Sequence, residues 1–162
     1  MDMAVLLEMA AAAGDRLAVT EGGRSLSAAE LQRLAQHAAD RFRDRTAVLY
    51  LGPTHLAYLV ALFGAALAGI PFVPLNYRLA EEQLDSLVLR HPGAEVLHPA
   101  DLDALLTPPQ GEAERRPVPE DRDATAVVLY TSGTTAAPKA ACCATATCSL
   151  TCSTPRTSAR RR

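Results

Sequence analysis

Apolar positions along this chain follow two spacings, one helical and one extended. Leu31, Leu34, Ala35, Ala38 and Phe42 recur at intervals of three and four, which predicts a helix over about 28–43. Ser27 precedes it and Glu30 follows three residues later, the pairing in which a serine hydroxyl and a glutamate satisfy two unpaired N–H groups of a helix start. Further helices are predicted at 3–13, ended by Gly14, and at 80–90, where Leu84, Leu87 and Val88 lie together behind Glu81 and Glu82. Short apolar or β-branched runs at 46–51, 71–74, 94–97 and 124–130 predict strands. Residues 17–26 read as a hairpin around Glu21-Gly22-Gly23, and 102–106 as a helical turn.

The uncharged stretch from Leu56 to Leu75 is long enough to cross a bilayer as one helix. Gly69 and Pro71 argue against that. Glycine favours the left-handed conformation that ends a helix and proline cannot continue one, so the stretch divides into a helix of about 54–68 and a strand near 71–74. No membrane span is expected. Helices alternating with continuously apolar strands predict an α/β fold, a mostly parallel sheet covered by helices.

Length and composition limit the remaining possibilities. With 162 residues, 49% hydrophobic and 21% charged, the chain suits one compact domain. A net charge of −2 offers no electrostatic reason to expect nucleic acid as a partner. Cysteine is absent before Cys142 and Met1-Asp2-Met3 is not a basic leader, so a cytoplasmic protein is expected. His37, His55, His91 and His98 are scattered without motif partners and read as surface or helix-end residues. Prolines and charges from 107 to 122 mark a surface linker.

Composition changes again after Lys139. Cys142, Cys143, Cys148 and Cys152 all lie there, no acid follows Asp123, and the chain ends Arg160-Arg161-Arg162. The cysteines lack the paired knuckle spacing of a zinc site, and no metal site is expected. Low complexity beginning in mid-motif is what an out-of-frame reading of a GC-rich gene would produce. Residues 1–139 are therefore expected to form a partial domain and 140–162 a disordered basic tail, which would leave the sheet edge at 124–130 unpaired.

The chemistry concentrates between these regions. Thr131-Ser132-Gly133-Thr134-Thr135-Ala136-Ala137-Pro138-Lys139 follows a strand directly, where ligands of parallel sheets gather. Hydroxyls and loop N–H groups can surround phosphate oxygens, and a lysine supplies a point charge against them. A Walker-type loop is excluded because Gly133 has no second glycine before Lys139, Pro138 adjoins the lysine, and Ala140 replaces the hydroxyl. A Ser/Thr-rich turn without a ligand is the plain alternative.

The segment resembles the phosphate-binding signature of the AMP-forming acyl-adenylate ligases, which include acyl-CoA synthetases, luciferases and peptide-synthetase adenylation domains. It matches at Thr131, Ser132, Gly133, Thr134, Thr135, Pro138 and Lys139, while Ala136 and Ala140 stand where the family has glycine. The resemblance extends back through Leu62–Gly69 and Pro71-Phe72-Val73-Pro74-Leu75-Asn76-Tyr77-Arg78-Leu79, in the manner of the acyl-CoA synthetase branch. It covers about residues 4–139, roughly the first quarter to third of a family member.

This resemblance implies the N-terminal part of the ligase large domain and an ATP-dependent acid–thiol ligase. A relative would bind ATP and Mg2+, let a fatty or other carboxylic acid attack the α-phosphate, release pyrophosphate and pass the acyl group to coenzyme A. Thr131, Ser132, Gly133, Thr134 and Thr135 would cradle the β- and γ-phosphates and Lys139 would oppose the charge, with Pro138 counted among the binding residues of the loop. The remaining family elements lie beyond this sequence, so no catalytic residue is assigned and a truncated, inactive ligase is expected. The alternative is a small non-catalytic α/β binding or interaction module derived from the same half.

Overall fold

The structure, a computed structural model, describes residues 3–12, 14–107, 124–131 and 139–144. The linker expected at 107–122 lies outside these residues except for Thr107. Helix α1 (Met3–Ala12) leads to a hairpin of β1 (Leu17–Glu21) and β2 (Arg24–Ser27), then α2 (Ala28–Arg41), β3 (Val48–Tyr50), α3 (Ala57–Ala68), β4 (Phe72–Pro74), α4 (Glu81–Val88) and β5 (Glu95–Leu97). A 3-10 turn (Pro99–Asp101) runs into α5 (Leu102–Leu105), and β6 (Thr125–Thr131) and β7 (Lys139–Ala144) complete the described chain.

Local chemistry accounts for the element ends. Ser27 Oγ accepts from the Glu30 N–H at 3.2 Å and Glu30 Oε2 accepts from the Ser27 N–H at 2.9 Å, the expected capping box. Helix α2 stops at Arg41 because the following N–H groups turn inward: Arg43 N–H reaches Asp40 O at 3.2 Å and Asp44 takes a positive φ of 65°. Helix α3 ends at Gly69, whose φ of 72° lets the Ile70 N–H reach Ala65 O at 3.1 Å. Its start is held from outside, by Glu21 Oε2 accepting from the Leu56 N–H at 2.7 Å. The apolar stretch at 56–75 is thus a helix and a strand, and among the described residues no helix is long and apolar enough to cross a membrane.

The main sheet has the order β5-β3-β4-β6-β7. Strands β5, β3, β4 and β6 run parallel and β7 is antiparallel to β6. Alternation of side chains sends Val48, Tyr50, Phe72 and Leu97 into a core beneath α1, α2, α3 and α5. Leu49, Val73 and Val128 point to the other face, where Leu87 of α4 meets them. Both faces of the central strands are apolar, which explains the continuous rather than alternating hydrophobic runs.

One expectation is corrected here. Residues 140–144, assigned by composition to a disordered tail, belong to β7 and pair with β6 from Tyr130↔Ala140 to Thr125↔Ala144. Alanines and cysteines are small enough to lie along β6 whatever their composition suggests, and the open edge of β6 supplies a full ladder of backbone partners. The edge expected to be unpaired is therefore covered, while 145–162 lie outside the described residues.

Candidate functional site

Helices α3 and α4 leave the carboxyl ends of two neighbouring strands, β3 and β4, and pack on opposite faces of the sheet. A crevice must open where such connections diverge. It is occupied by a cleft of about 490 Å³ between Gly52–Leu56 after β3, Leu75–Tyr77 after β4, and Val19–Glu21 of the hairpin. Tyr58 and Leu59 of α3 also line it.

The cleft is built on aromatic packing. Tyr50 and Tyr58 meet edge-on at 5.0 Å, Tyr58 and Phe72 at 5.1 Å, and Tyr50 Oη donates to Pro53 O at 3.0 Å. Burial, reinforced by the Glu21 carboxylate and by Tyr58, pushes the Tyr50 phenol up to about 12. Burial raises Tyr58 as well. Both phenols stay neutral at ordinary pH and serve as apolar surface, to which Tyr50 adds its hydrogen bond. Among the described residues no Lys or Arg lines the cleft, and Glu21 contributes a carboxylate to it.

The anion-binding candidates lie beside it, on the next strand. Thr131 is the exposed last residue of β6, and Lys139 opens β7 directly opposite it in register. The connection 132–138 therefore leaves from and returns to the carboxyl end of the parallel strand β6. Ser132, Gly133, Thr134, Thr135 and Pro138 lie outside the described residues, as does the Lys139 side chain. The structure thus brings the two ends of the motif together through the backbone.

The strand just before the motif is held by contacts that sequence reading missed. His91 Nε2 and Tyr130 Oη are 2.8 Å apart, with the rings edge-on at 6.0 Å. The Arg90 guanidinium lies 6.0 Å from the Tyr130 ring centre. Burial, and then the Arg90 charge, hold the His91 imidazole below its ordinary range, which favours the neutral ring. The partners are 39 positions apart, and a lone histidine beside a proline carries no local signal of this pairing. Of the other half-buried histidines, His55 Nδ1 accepts from the Ala57 N–H at 3.2 Å at the start of α3 while its Nε2 lies 3.8 Å from Asp103 Oδ1, and His37 Nε2 is buried with no hydrogen-bond partner among the described residues.

Comparison with known proteins separates the family from the loop. The sequence model of the family described as AMP-binding enzyme matches residues 6–104. The chain belongs to the AMP-binding enzyme family. The matched residues end before β6, so the assignment stands apart from the phosphate-like motif. A feruloyl-CoA synthase of Amycolatopsis sp is 40% identical over 146 residues, covering 76% of this chain and 29% of that protein. The nonribosomal peptide synthetase acrB of Aspergillus aculeatus is 32% identical over 131 residues, covering 72% of this chain and 8% of that protein.

Among solved structures, VinN superposes with a TM-score of 0.71 at 23% identity, over 90% of this chain and 46% of VinN. A fatty acyl CoA synthetase of Mycobacterium tuberculosis gives 0.70 at 21% identity, over 88% of this chain and 34% of that one. These likenesses establish the fold: a parallel-rich sheet flanked by helices, shared with the N-terminal regions of AMP-binding enzymes. The chain spans less than a third of the length of the curated relatives it matches.

Proposed function

We propose that this chain is the N-terminal part of the nucleotide-binding domain of an ATP-dependent, AMP-forming acid–thiol ligase, a cytoplasmic acyl-CoA synthetase acting on a fatty or other carboxylic acid. The observation that carries this reading is the pairing of Thr131 with Lys139 at the carboxyl end of β6. A seven-residue connection with three hydroxyl side chains that begins and ends at the carboxyl end of a parallel strand fits a polyphosphate, because ligands of such sheets gather there and hydroxyls can meet phosphate oxygens. The name of the 40% identical feruloyl-CoA synthase supports coenzyme A as acceptor and a carboxylic acid as substrate.

In this reading ATP arrives with its Mg2+ and places its β- and γ-phosphates against Thr131, Ser132, Gly133, Thr134 and Thr135. Pro138 limits the loop's freedom, and Lys139 offsets charge that builds on the departing pyrophosphate. Removing one such contact from a complete enzyme costs about 10²-fold in rate. Among the described residues no three His, Cys, Asp or Glu side chains converge on a metal site, and no step is assigned to magnesium here. Because the chain spans 29% of its feruloyl-CoA synthase relative, the 162 residues alone are expected to hold the nucleotide without completing acyl transfer.

Equilibrium dialysis with labelled ATP tests the site: Lys139→Ala should weaken binding about tenfold, the effect of one lost charged contact. Equal binding by both proteins would refute the assignment. Incubating the chain with ATP and a panel of carboxylic acids should give no acyl-adenylate. A second reading, a small non-catalytic α/β module, is favoured by the cover that β7 provides for β6. A sharp cooperative thermal transition together with absence of ATP binding would decide for it.

A further inference from the structure

We propose that the cleft between the hairpin, β3, α3 and β4 binds a small aromatic amine, its ring among Tyr58, Leu59 and Tyr77 and its ammonium against the Glu21 carboxylate. The inference does not depend on the nucleotide reading above. A cavity of about 490 Å³ lies within the size range of small-molecule sites, which combine a mostly apolar wall with a few placed polar groups. Val19, Leu56, Leu59 and Leu75 supply the aliphatic part of the wall, and Tyr58 and Tyr77 the aromatic part.

The polar groups of the wall are fixed, and some of them are unused. Glu21 Oε2 accepts from the Leu56 N–H at 2.7 Å, which holds the carboxylate where the hairpin meets the start of α3. Its Oε1 has no hydrogen-bond partner among the described residues. Arg24, opposite Glu21 in the hairpin, sends its guanidinium to Asp103 at 3.0 Å, so Glu21 is left without an ion-pair partner among the described residues. Tyr58 is wedged edge-on against Tyr50 and Phe72, and its hydroxyl also has no hydrogen-bond partner among the described residues. Other lining groups are engaged: Asn76 Oδ1 accepts from the Arg78 N–H at 3.1 Å, and the Thr20 and Ser25 hydroxyls lie 2.9 Å apart.

The ligand class follows from what remains. An ammonium carries three N–H donors and a positive charge, the complement of a carboxylate with a free oxygen. An aromatic ring bearing that ammonium packs well on tyrosine. Arg78 lies over the Tyr77 ring at 5.5 Å without lining the cleft, so Tyr77 offers the ligand packing surface and Glu21 takes the charge.

Amide NMR of the whole chain titrated with phenethylamine tests the site, with phenylacetate as a similar ring of opposite charge. Phenethylamine should cause saturable shifts of the Thr54, Leu59 and Tyr77 amide signals, and phenylacetate should bind at least about tenfold more weakly, the effect of one charge-assisted contact. Glu21→Gln keeps an oxygen for the Leu56 N–H and should weaken phenethylamine about tenfold. Thr54→Trp puts a large side chain at an exposed position of the lining and should abolish the shifts. Thermal unfolding shows whether each variant is folded; if Glu21→Gln is not, Thr54→Trp and the comparison of the two ligands decide. Shifts that do not saturate, equal binding of phenylacetate, or undiminished affinity in folded Glu21→Gln or Thr54→Trp would overturn the proposal.

Discussion

Replacing Gly64 with alanine sets a methyl group between two helices that leave no room for it. A Cβ built at Gly64 lies 2.6 Å from Ala38 Cβ, 3.1 Å from Phe42 Cε2 and 3.3 Å from Ala35 O. Ala38 and Phe42 are buried, and Ala38 has no rotamer through which to retreat, so α2 and α3 must separate. Overpacking of this kind destabilises by about 1–3 kcal/mol. Against it stands the better helix propensity of alanine, about 1 kcal/mol. Because the closest approach is to a Cβ fixed on a helix backbone, Gly64→Ala should lower stability by a net of about 1–2 kcal/mol.

Urea unfolding followed by far-ultraviolet circular dichroism would register this as a midpoint roughly 0.5–1 M lower. A double-mutant cycle isolates the cause: adding Ala38→Gly removes the opposing methyl, so Gly64→Ala should be less destabilising in that background than alone. A Gly64→Ala chain as stable as wild type, or more stable, would refute the close-contact argument and show that the helices can move apart freely.

Other perturbations test the caps and the buried phenol. Ser27→Ala should lower stability by about 1 kcal/mol, because the Glu30 N–H loses its acceptor at the start of α2. The Ser27 backbone and hydroxyl donors hold the Glu30 carboxyl below its usual range. Their contribution is present above the ordinary carboxylate pKa and lost as pH falls through the folded value, so acid unfolding should be shallower in Ser27→Ala. Tyr50, raised to about 12, favours the folded state below the ordinary tyrosine pKa near 10, and that advantage disappears as pH rises through 12. The tyrosine absorbance titration of the wild-type chain minus that of Tyr50→Phe should show Tyr50 ionising together with unfolding; a difference that titrates reversibly near pH 10 in the folded chain would contradict its burial.

Much of the fold follows from patterns confined to a few turns of chain. Ser27 and Glu30 announce the start of α2, Gly69 the end of α3, the apolar runs at 46–51, 71–74 and 94–97 each contain a strand, and 124–130 takes in all of β6 but its last residue. Where boundaries moved, contacts from elsewhere moved them. Helix α3 begins at Ala57 rather than 54, with Glu21 of the hairpin holding the N–H of the preceding residue, Leu56. Helix α4 is shortened to Glu81–Val88 by the turn that Thr46 pins at Pro92 and Gly93.

The order of apolar and polar residues, the caps and the spacing of Thr131 to Lys139 were enough to specify an α/β chain with a candidate phosphate loop and to point to its family. These depend on interactions between residues close in sequence, or on a motif read in one line. Strand order, the cover of β6 by β7, the cleft among residues near 20, 53 and 76, and the meeting of His91 with Tyr130 were decided only by the tertiary structure. Each brings together groups that chain connectivity leaves far apart, and their proximity arises from burying both faces of one sheet, which no local pattern encodes.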